Sequence, residues 1–256
     1  FNKQTGESSA FRLNVMTHEA DNWGAKADKK GIAGAYRMGI GERDEYSVGL
    51  YHLETHGRPL YNHPWMIDNG TSTSSNNTSG MIVPVLNAKN YYGLSSDYLK
   101  TQTSYVTLGH THRFTQDSAV KTTVRYGNYT RDLLASAVRF ASATSSTSLN
   151  GNTALSRSFK ARRGESDVLQ VQSDYNNSFN WMGRKHELIA GVDYTQDKAL
   201  RNNSATTGLP ATNALGTLVG TPNDGQSIVD NRQVAMNNFD AENLGLYAQD
   251  TLSITQ

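Results

Sequence analysis

Connections along this chain alternate in length. Segments of period-2 hydrophobicity are joined by tight polar turns at Gly41-Glu42-Arg43-Asp44, Thr115-Gln116-Asp117-Ser118 and Gly183-Arg184-Lys185. Between those turns lie long connections: Thr55 to Leu99, Leu133 to Glu165 and Lys198 to Asp240. A sandwich in water has no reason to gather its long loops at one end. A membrane-spanning β-barrel does, with short turns on one side and long loops on the other.

Eight strands follow from the alternation. They are Ser9–Thr17, Lys30–Met38, Tyr46–Leu53, Thr103–Phe114, Ala119–Arg131, Val168–Trp181, His186–Gln196 and Asn243–Thr255, with a loop expected over Glu19–Asp28. In the first, Phe11, Leu13 and Val15 share a face opposite Arg12 and Asn14. In the sixth, Leu169, Val171, Tyr175, Phe179 and Trp181 oppose Gln170, Gln172, Asp174 and Asn180. Several of these strands exceed the usual length of about five or six residues in a soluble sheet. A tilted membrane-crossing strand needs about 9–11. Phe114, Phe179 and Trp181 sit just before short turns, where an interfacial aromatic girdle belongs.

Composition agrees with this architecture. Only 36% of the 256 residues are hydrophobic, and mean hydropathy is −0.60. Half of each barrel strand faces a polar interior and the loops are wet, so such values are expected. No apolar run reaches the roughly 18–20 residues of a membrane helix. The 24 basic and 23 acidic residues leave a net charge of +1, without the clustered basic face of a nucleic-acid binder. The absence of cysteine excludes disulfides and Cys-based zinc or iron–sulfur sites. There is no Gly-x-Ser-x-Gly elbow, no His-Glu-x-x-His motif and no phosphate loop, so no enzyme activity is expected. Thr71–Gly80 and Ser142–Thr153 approach low complexity. The start at Phe1-Asn2-Lys3 and the finish at Ser253-Ile254-Thr255-Gln256 read as cut ends of a longer chain.

Several segments carry a resemblance. Ser9 to Met16, Tyr51-His52-Leu53-Glu54 running on to Arg58-Pro59 and Pro64-Trp65, and Asn90 to Tyr98 running on to Val106-Thr107-Leu108 come first. Ala190-Gly191-Val192-Asp193-Tyr194 and Gly245 to Leu252 follow in the same order. Together they resemble barrel strands of TonB-dependent outer-membrane siderophore receptors, in the catecholate or hydroxamate branch. The resemblance covers most strands and few long loops. It implies an all-β antiparallel transmembrane barrel segment, about eight strands of a plugged barrel of about 22. Residues 1–256 would then be a partial barrel domain, with the plug, the TonB-contacting box and the C-terminal strands outside it. The implied localisation is the Gram-negative outer membrane. The implied partners are a ferric siderophore as transported ligand, the TonB complex through the plug, and outer-membrane lipid and lipopolysaccharide. No nucleic acid and no covalent cofactor are implied. A passive porin and a secreted β-sandwich binding module are the rival classes.

The first long loop holds Arg58, Tyr61, His63 and Trp65 around Pro59 and Pro64, with Tyr91 and Tyr92 near its far end. A ferric siderophore is large, often anionic and partly aromatic, so aromatic faces and cationic donors suit it. Arg157, Lys160, Arg162 and Arg163 form a basic run in the next connection. It would suit an anionic ligand or lipopolysaccharide phosphate. Candidate ligand-binding residues are therefore Arg58, Tyr61, His63, Trp65, Tyr91, Tyr92, Arg162 and Arg163. His110 and His112 are two apart and share a strand face, a spacing open to a metal pair. The same face carries Val106, Leu108 and Phe114, so they are read as interfacial imidazoles, and no metal site is assigned. Carboxylates such as Glu42 and Asp44 are read as solvated turn residues. Arg12, Lys121, Arg125, Gln170 and Gln172 are expected to face the lumen.

Overall fold

The computed structural model describes residues 1–67, 82–142, 144, 147–202, 207–211, 215–233 and 235–253. Its strands are β1 (Asn2–Gly6), β2 (Ser9–Asn22), β3 (Ala25–Met38), β4 (Asp44–Gly57), β5 (Met66–Ile67), β6 (Ile82–Val83), β7 (Tyr98–Arg113), β8 (Ser118–Phe140), β9 (Ala154–Trp181), β10 (Arg184–Arg201), β11 (Thr217–Leu218) and β12 (Asn237–Leu252). The large sheet runs β1-β2-β3-β4-β7-β8-β9-β10-β12, with β11 added to β9 and β5-β6 forming a separate pair. Every pairing is antiparallel. All eight expected strands are present. β1, with little alternation of its own, was not foreseen. No helix among the described residues is long and apolar enough to cross a membrane.

The register gives the sheet two unlike faces. From Val15 the pairing leads to Ile32 and from there to His52, and Leu50 leads to Val106, Tyr126 and Leu169. Because side chains alternate with a period of two, this ladder keeps Leu13, Val15, Ile32, Val48, Leu50, Leu108, Val124, Val171, Val192, Leu244 and Leu246 on one side. Many of them are bare: Leu50 is 60% and Leu246 80% exposed. The opposite side carries Arg12, Asn14, Thr107, Lys121, Arg125, Gln170, Gln172, Asp174 and Asp193. All five expected lumen residues lie there. A sheet that exposes its apolar face and keeps polar groups on the other is inverted relative to a soluble sandwich, and it matches a barrel wall in lipid. The long sheet does not close: among the described residues, β1 pairs only with β2 and β12 only with β10. That is the geometry of one part of a wide barrel rather than of a small eight-stranded one.

The turn ends are tight. At the β9–β10 hairpin both Met182 (φ 50°) and Gly183 (φ 73°) adopt left-handed backbone, as the primed two-residue turns require to match strand twist. Methionine has no local hydrogen bond to offset this conformation, whereas asparagine adopts it readily. Met182→Asn is expected to raise stability by about 0.5–1 kcal/mol, read as a higher midpoint in denaturant unfolding of the intact receptor in detergent.

The loop ends depart from expectation in several places. The loop expected at Glu19–Asp28 is strand almost throughout; β2 and β3 meet in a two-residue turn at Trp23 (φ 49°) and Gly24 (φ 98°). The alternation of connection lengths therefore has one short exception on the long-loop side. The connection expected over Leu133–Glu165 is also mostly strand. β8 and β9 stay paired from Ser118↔Asn177 to Phe140↔Leu155, a hairpin reaching far beyond the 9–11 residues that a membrane needs. β4 similarly runs past Leu53 to Gly57, and the final strand begins earlier than expected, at Asn237. The low-complexity Thr71–Gly80 stretch and Ile254 lie outside the described residues.

Candidate functional site

The protein's buried cores sit outside the barrel band, where the long connections pack on the projecting β8–β9 hairpin. Leu94, Leu134, Phe159 and Ala161 form one cluster, flanked by Tyr98, Leu209, Leu215 and Ile228. Tyr92, Val138 and Leu155 form another, flanked by Leu86, Phe140 and Val219. Even-numbered β8 residues and odd-numbered β9 residues supply these contacts, on the side continuous with the apolar face. Asp97 is buried and accepts hydrogen bonds from Ser136 N (3.0 Å), Ser136 Oγ (2.8 Å) and Leu94 N (3.2 Å). Burial nevertheless pushes its carboxyl above the ordinary range.

Two buried arginines fasten this layer. Arg157 is 1% exposed. It donates to Tyr92 O (2.7 Å), Leu215 O (3.1 Å) and Gly93 O (3.5 Å), and pairs with Asp224 at 2.8 Å. One guanidinium thus ties the first long loop and the third to β9. Arg232 bridges Asp132 (2.5 Å) and Asp230 (3.1 Å) and donates to Tyr98 Oη (2.6 Å) and Leu133 O (2.8 Å). Sequence reasoning placed Arg157 in a basic loop run suited to an anionic ligand or lipopolysaccharide phosphate, and missed Arg232. Asp224, the partner of Arg157, and Asp132, one of the two partners of Arg232, are 67 and 100 residues away, beyond any local pattern.

The candidate ligand residues divide between this layer and the surface. Tyr92 is fully buried; its hydroxyl receives Asn90 Nδ2 (2.7 Å) and donates to Val219 O (2.9 Å). His63 bonds Asn90 O at 2.7 Å and meets the Tyr92 ring edge-on at 5.7 Å. The Arg58 guanidinium lies 5.8 Å from the centre of the buried Tyr91 ring, and burial pushes the Tyr91 phenol well above its ordinary range, with nearby Asp97 adding to the shift. Tyr61 and Trp65 keep exposed side chains. Arg162 and Arg163 are exposed as well, but they lie on β9, not in a loop.

Arg162 has neighbours that the sequence did not suggest. Arg131 pairs in register with Gly164, and Gly164 with Arg201. Alternation puts Arg131, Arg162 and Arg201 on the face continuous with the lumen wall, at its loop end. Together with Tyr129, Ser166, Asn202, Arg163 and Glu165 they line a cavity of about 410 Å³; Arg163 and Glu165 belong by alternation to the opposite face of β9. Gly164 puts no side chain of its own between Arg131 and Arg201, and the Arg201 stem lies against it. The same face continues upward with Lys160 and Arg139. From Tyr129 to Arg139 on β8, from Ser156 to Ser166 on β9 and from Ala199 to Arg201 on β10, it carries no carboxylate; the nearest acid below is Asp197, which accepts from Ser166 Oγ at 2.5 Å. Among the described residues none of the three arginines has an ion-pair partner, although Arg201 lies over the Phe239 ring at 5.3 Å. Concentrated positive charge in a concave, partly walled site attracts anions, and arginine forks suit carboxylate, phosphate or catecholate oxygens.

At the turn end the outward face carries a belt of rings. Tyr46 stacks on His110 (4.6 Å), His112 meets Phe114 edge-on (4.8 Å), and Phe179 stacks on His186 (5.2 Å) beside Trp181 (5.7 Å). This is the expected girdle position for His110 and His112. Asp44, expected to be a solvated turn residue, begins β4 and accepts from both imidazoles.

An antiparallel wall with an apolar outer band, a ring girdle, short turns below and a packed loop layer above defines a segment of a membrane β-barrel wall. In particular, its fold is that of the barrel of TonB-dependent siderophore receptors. It superposes on the ferric-catecholate import receptor Fiu of Escherichia coli K12 in its open form with a TM-score of 0.81, at 23% identity, covering 100% of this chain and 39% of that one. The siderophore receptor PiuA of Acinetobacter baumannii gives 0.76 at 18% identity, covering 99% and 37%. In sequence, the catecholate siderophore receptor Fiu of Escherichia coli O157:H7 is 25% identical over 265 residues, covering 100% of this chain and 34% of the relative. The chain thus spans about a third of the length of the curated relatives it matches. No family model matches.

Proposed function

We propose that this chain is the part of an outer-membrane receptor that forms wall and external loops around an anionic ferric siderophore, whose uptake is coupled to TonB through a plug within the barrel. One observation carries this reading: Arg131, Arg162 and Arg201 gather on one face at the loop-end mouth of the lumen, and the one carboxylate residue lining their cavity, Glu165, belongs by alternation to the opposite face of β9. Ferric catecholates are polyanions, and the relatives' names point to the same ligand class. Within this reading, Arg162 and its two neighbours attract and orient the complex, and Tyr61 and Trp65 offer it aromatic faces. Arg58, His63, Tyr91 and Tyr92 hold the loop that presents them. Arg163, on the outer side, faces lipopolysaccharide phosphate. The polar lumen row from Arg12 to Gln172 supports the plug.

The test uses the whole receptor. Iron uptake from a ferric catecholate should require TonB and should fall when salt is raised, since screening weakens attraction at exposed charges. TonB-independent flux would favour a passive porin. Arg162→Gln and Arg201→Gln are each expected to weaken equilibrium binding of a ferric catecholate about tenfold, the loss of roughly one charge-assisted hydrogen bond. An uncharged ferric hydroxamate should be affected far less. Equal losses for both ligands would remove the electrostatic basis of the proposal.

A further inference from the structure

The turn-end girdle holds a second constellation, independent of the ligand mouth. Asp44 on β4 stands directly across from His112 on β7, and Tyr46 across from His110. All three polar side chains, Asp44, His110 and His112, project outward from two adjacent strands. Asp44 Oδ1 is 2.7 Å from His112 Nδ1 and 2.9 Å from His110 Nε2, and the potential ligand atoms all lie within 4.8 Å of one another. It is the one group of three or more His, Asp or Glu side chains in metal-ligand range among the described residues.

We propose that Asp44, His110 and His112 form a binding site for a borderline divalent transition metal of the Zn²⁺ class. Three features support it. Two ligand atoms each about 2.0–2.1 Å from zinc at a tetrahedral angle stand roughly 3.4 Å apart. The two separations from Asp44 to the imidazole nitrogens, 2.7 and 2.9 Å, are shorter by well under 1 Å, and the two nitrogens lie within 4.8 Å of each other, differences of the size that side-chain rotations supply. The rings are held from outside by Tyr46 stacked on His110 and Phe114 set against His112, so a metal would meet a constellation already largely ordered. The donor set is two imidazoles and one carboxylate, which suits zinc, nickel or copper rather than the all-oxygen shells of calcium and magnesium. His110, His112 and Asp44 are each partly exposed, leaving a fourth position open to water or to a lipid phosphate oxygen. By contrast, the neighbouring rim pair His186 and Asp250, 2.6 Å apart, offers a single imidazole and is the natural control.

The experiment is calorimetric titration of Zn²⁺ into the chelator-treated whole receptor in detergent, with Co²⁺ absorption as a second readout. The wild-type protein is expected to bind one equivalent of metal that His110→Gln, His112→Gln and Asp44→Asn each lose or weaken by at least about 100-fold. His186→Gln should retain it. Co²⁺ should give visible d–d bands in the wild type that vanish in the three variants. Folding of each variant is checked by heat-modifiable gel mobility, and Gln and Asn preserve side-chain bulk and hydrogen bonding. A folded His110→Gln receptor that binds as much Zn²⁺ as the wild type, or a wild-type receptor that binds none, overturns the proposal. In either case these residues serve only as an interfacial hydrogen-bonded cluster.

Discussion

Arg157→Ala is expected to release the loop layer while leaving the barrel wall intact. The side chain is fully enclosed and satisfies three carbonyl groups and one carboxylate from two loops. Removing one partner of a buried ion pair strands the other and typically costs about 3–5 kcal/mol. That loss falls on the packing of the loop layer, because no strand-to-strand hydrogen bond of the sheet passes through Arg157's side chain. Limited proteolysis of the intact receptor should therefore show new cleavage in the 86–97 and 215–228 segments. The barrel's denaturant midpoint should stay near the wild-type value. Lysine at this position lacks the planar fork that reaches several acceptors at once and should rescue little. Unchanged protease resistance in Arg157→Ala would mean that the two apolar clusters hold the loops without the ion pair.

The same network sets an acid limit. Burial alone would raise the Asp224 carboxyl, but hydrogen bonds from Thr217, the Gln226 backbone and Arg157, with the Arg157 charge, hold it below the ordinary carboxylate range. A carboxylate with a depressed folded-state pKa contributes stability above its unfolded value, and this is lost as pH falls through the folded value. Loop protection against an acid-tolerant protease should accordingly decline below about pH 4. Asp224→Asn, which cannot ionise, should show lower protection at neutral pH and lose this part of the acid dependence.

Leu50→Arg is the second large expected effect. Leu50 lies mid-strand on the bare outer face, beside Val106 on the next strand. A cation at the midplane of a barrel's lipid face costs about 2–4 kcal/mol. Gln170→Arg, on the polar face of β9, is expected to cost little, because it meets water or polar groups. The contrast is measured as the difference in unfolding free energy of the two variants folded into lipid vesicles. Equal costs would contradict the assignment of inner and outer faces.

How far these features were legible in advance depends on the range of the interaction behind them. The alternation of Leu13 with Arg12 or Val171 with Gln172 is local, and it located all eight main strands and both faces. It stopped short at strand ends. There, membrane-level alternation gives way to the mixed pattern of the β8–β9 hairpin, whose Arg157 and Phe159 face packed loops while Lys160 and Arg162 face water. The Trp23-Gly24 turn was hidden by charged residues on both sides, Asp21 and Lys26, which read as loop although their strands continue to pair. Among candidate site residues, Arg162 was visible as part of a basic run. Arg131 and Arg201, about 30 and 40 residues distant in sequence, became its neighbours only through register.

By itself, then, the chain's pattern determined that it is a wall: period-2 hydrophobicity commits each strand to an apolar and a polar side, and tight turns commit the strands to antiparallel order. Local sterics and solvation suffice for both. Tertiary structure alone decided which charges meet. It brought Asp224 to Arg157 in a dry layer, gathered three arginines around Gly164, and set Asp44 between His110 and His112. Those juxtapositions depend on cross-strand register and loop packing, where residues far apart in sequence are brought within a few ångströms and low dielectric or shared geometry makes the encounter count.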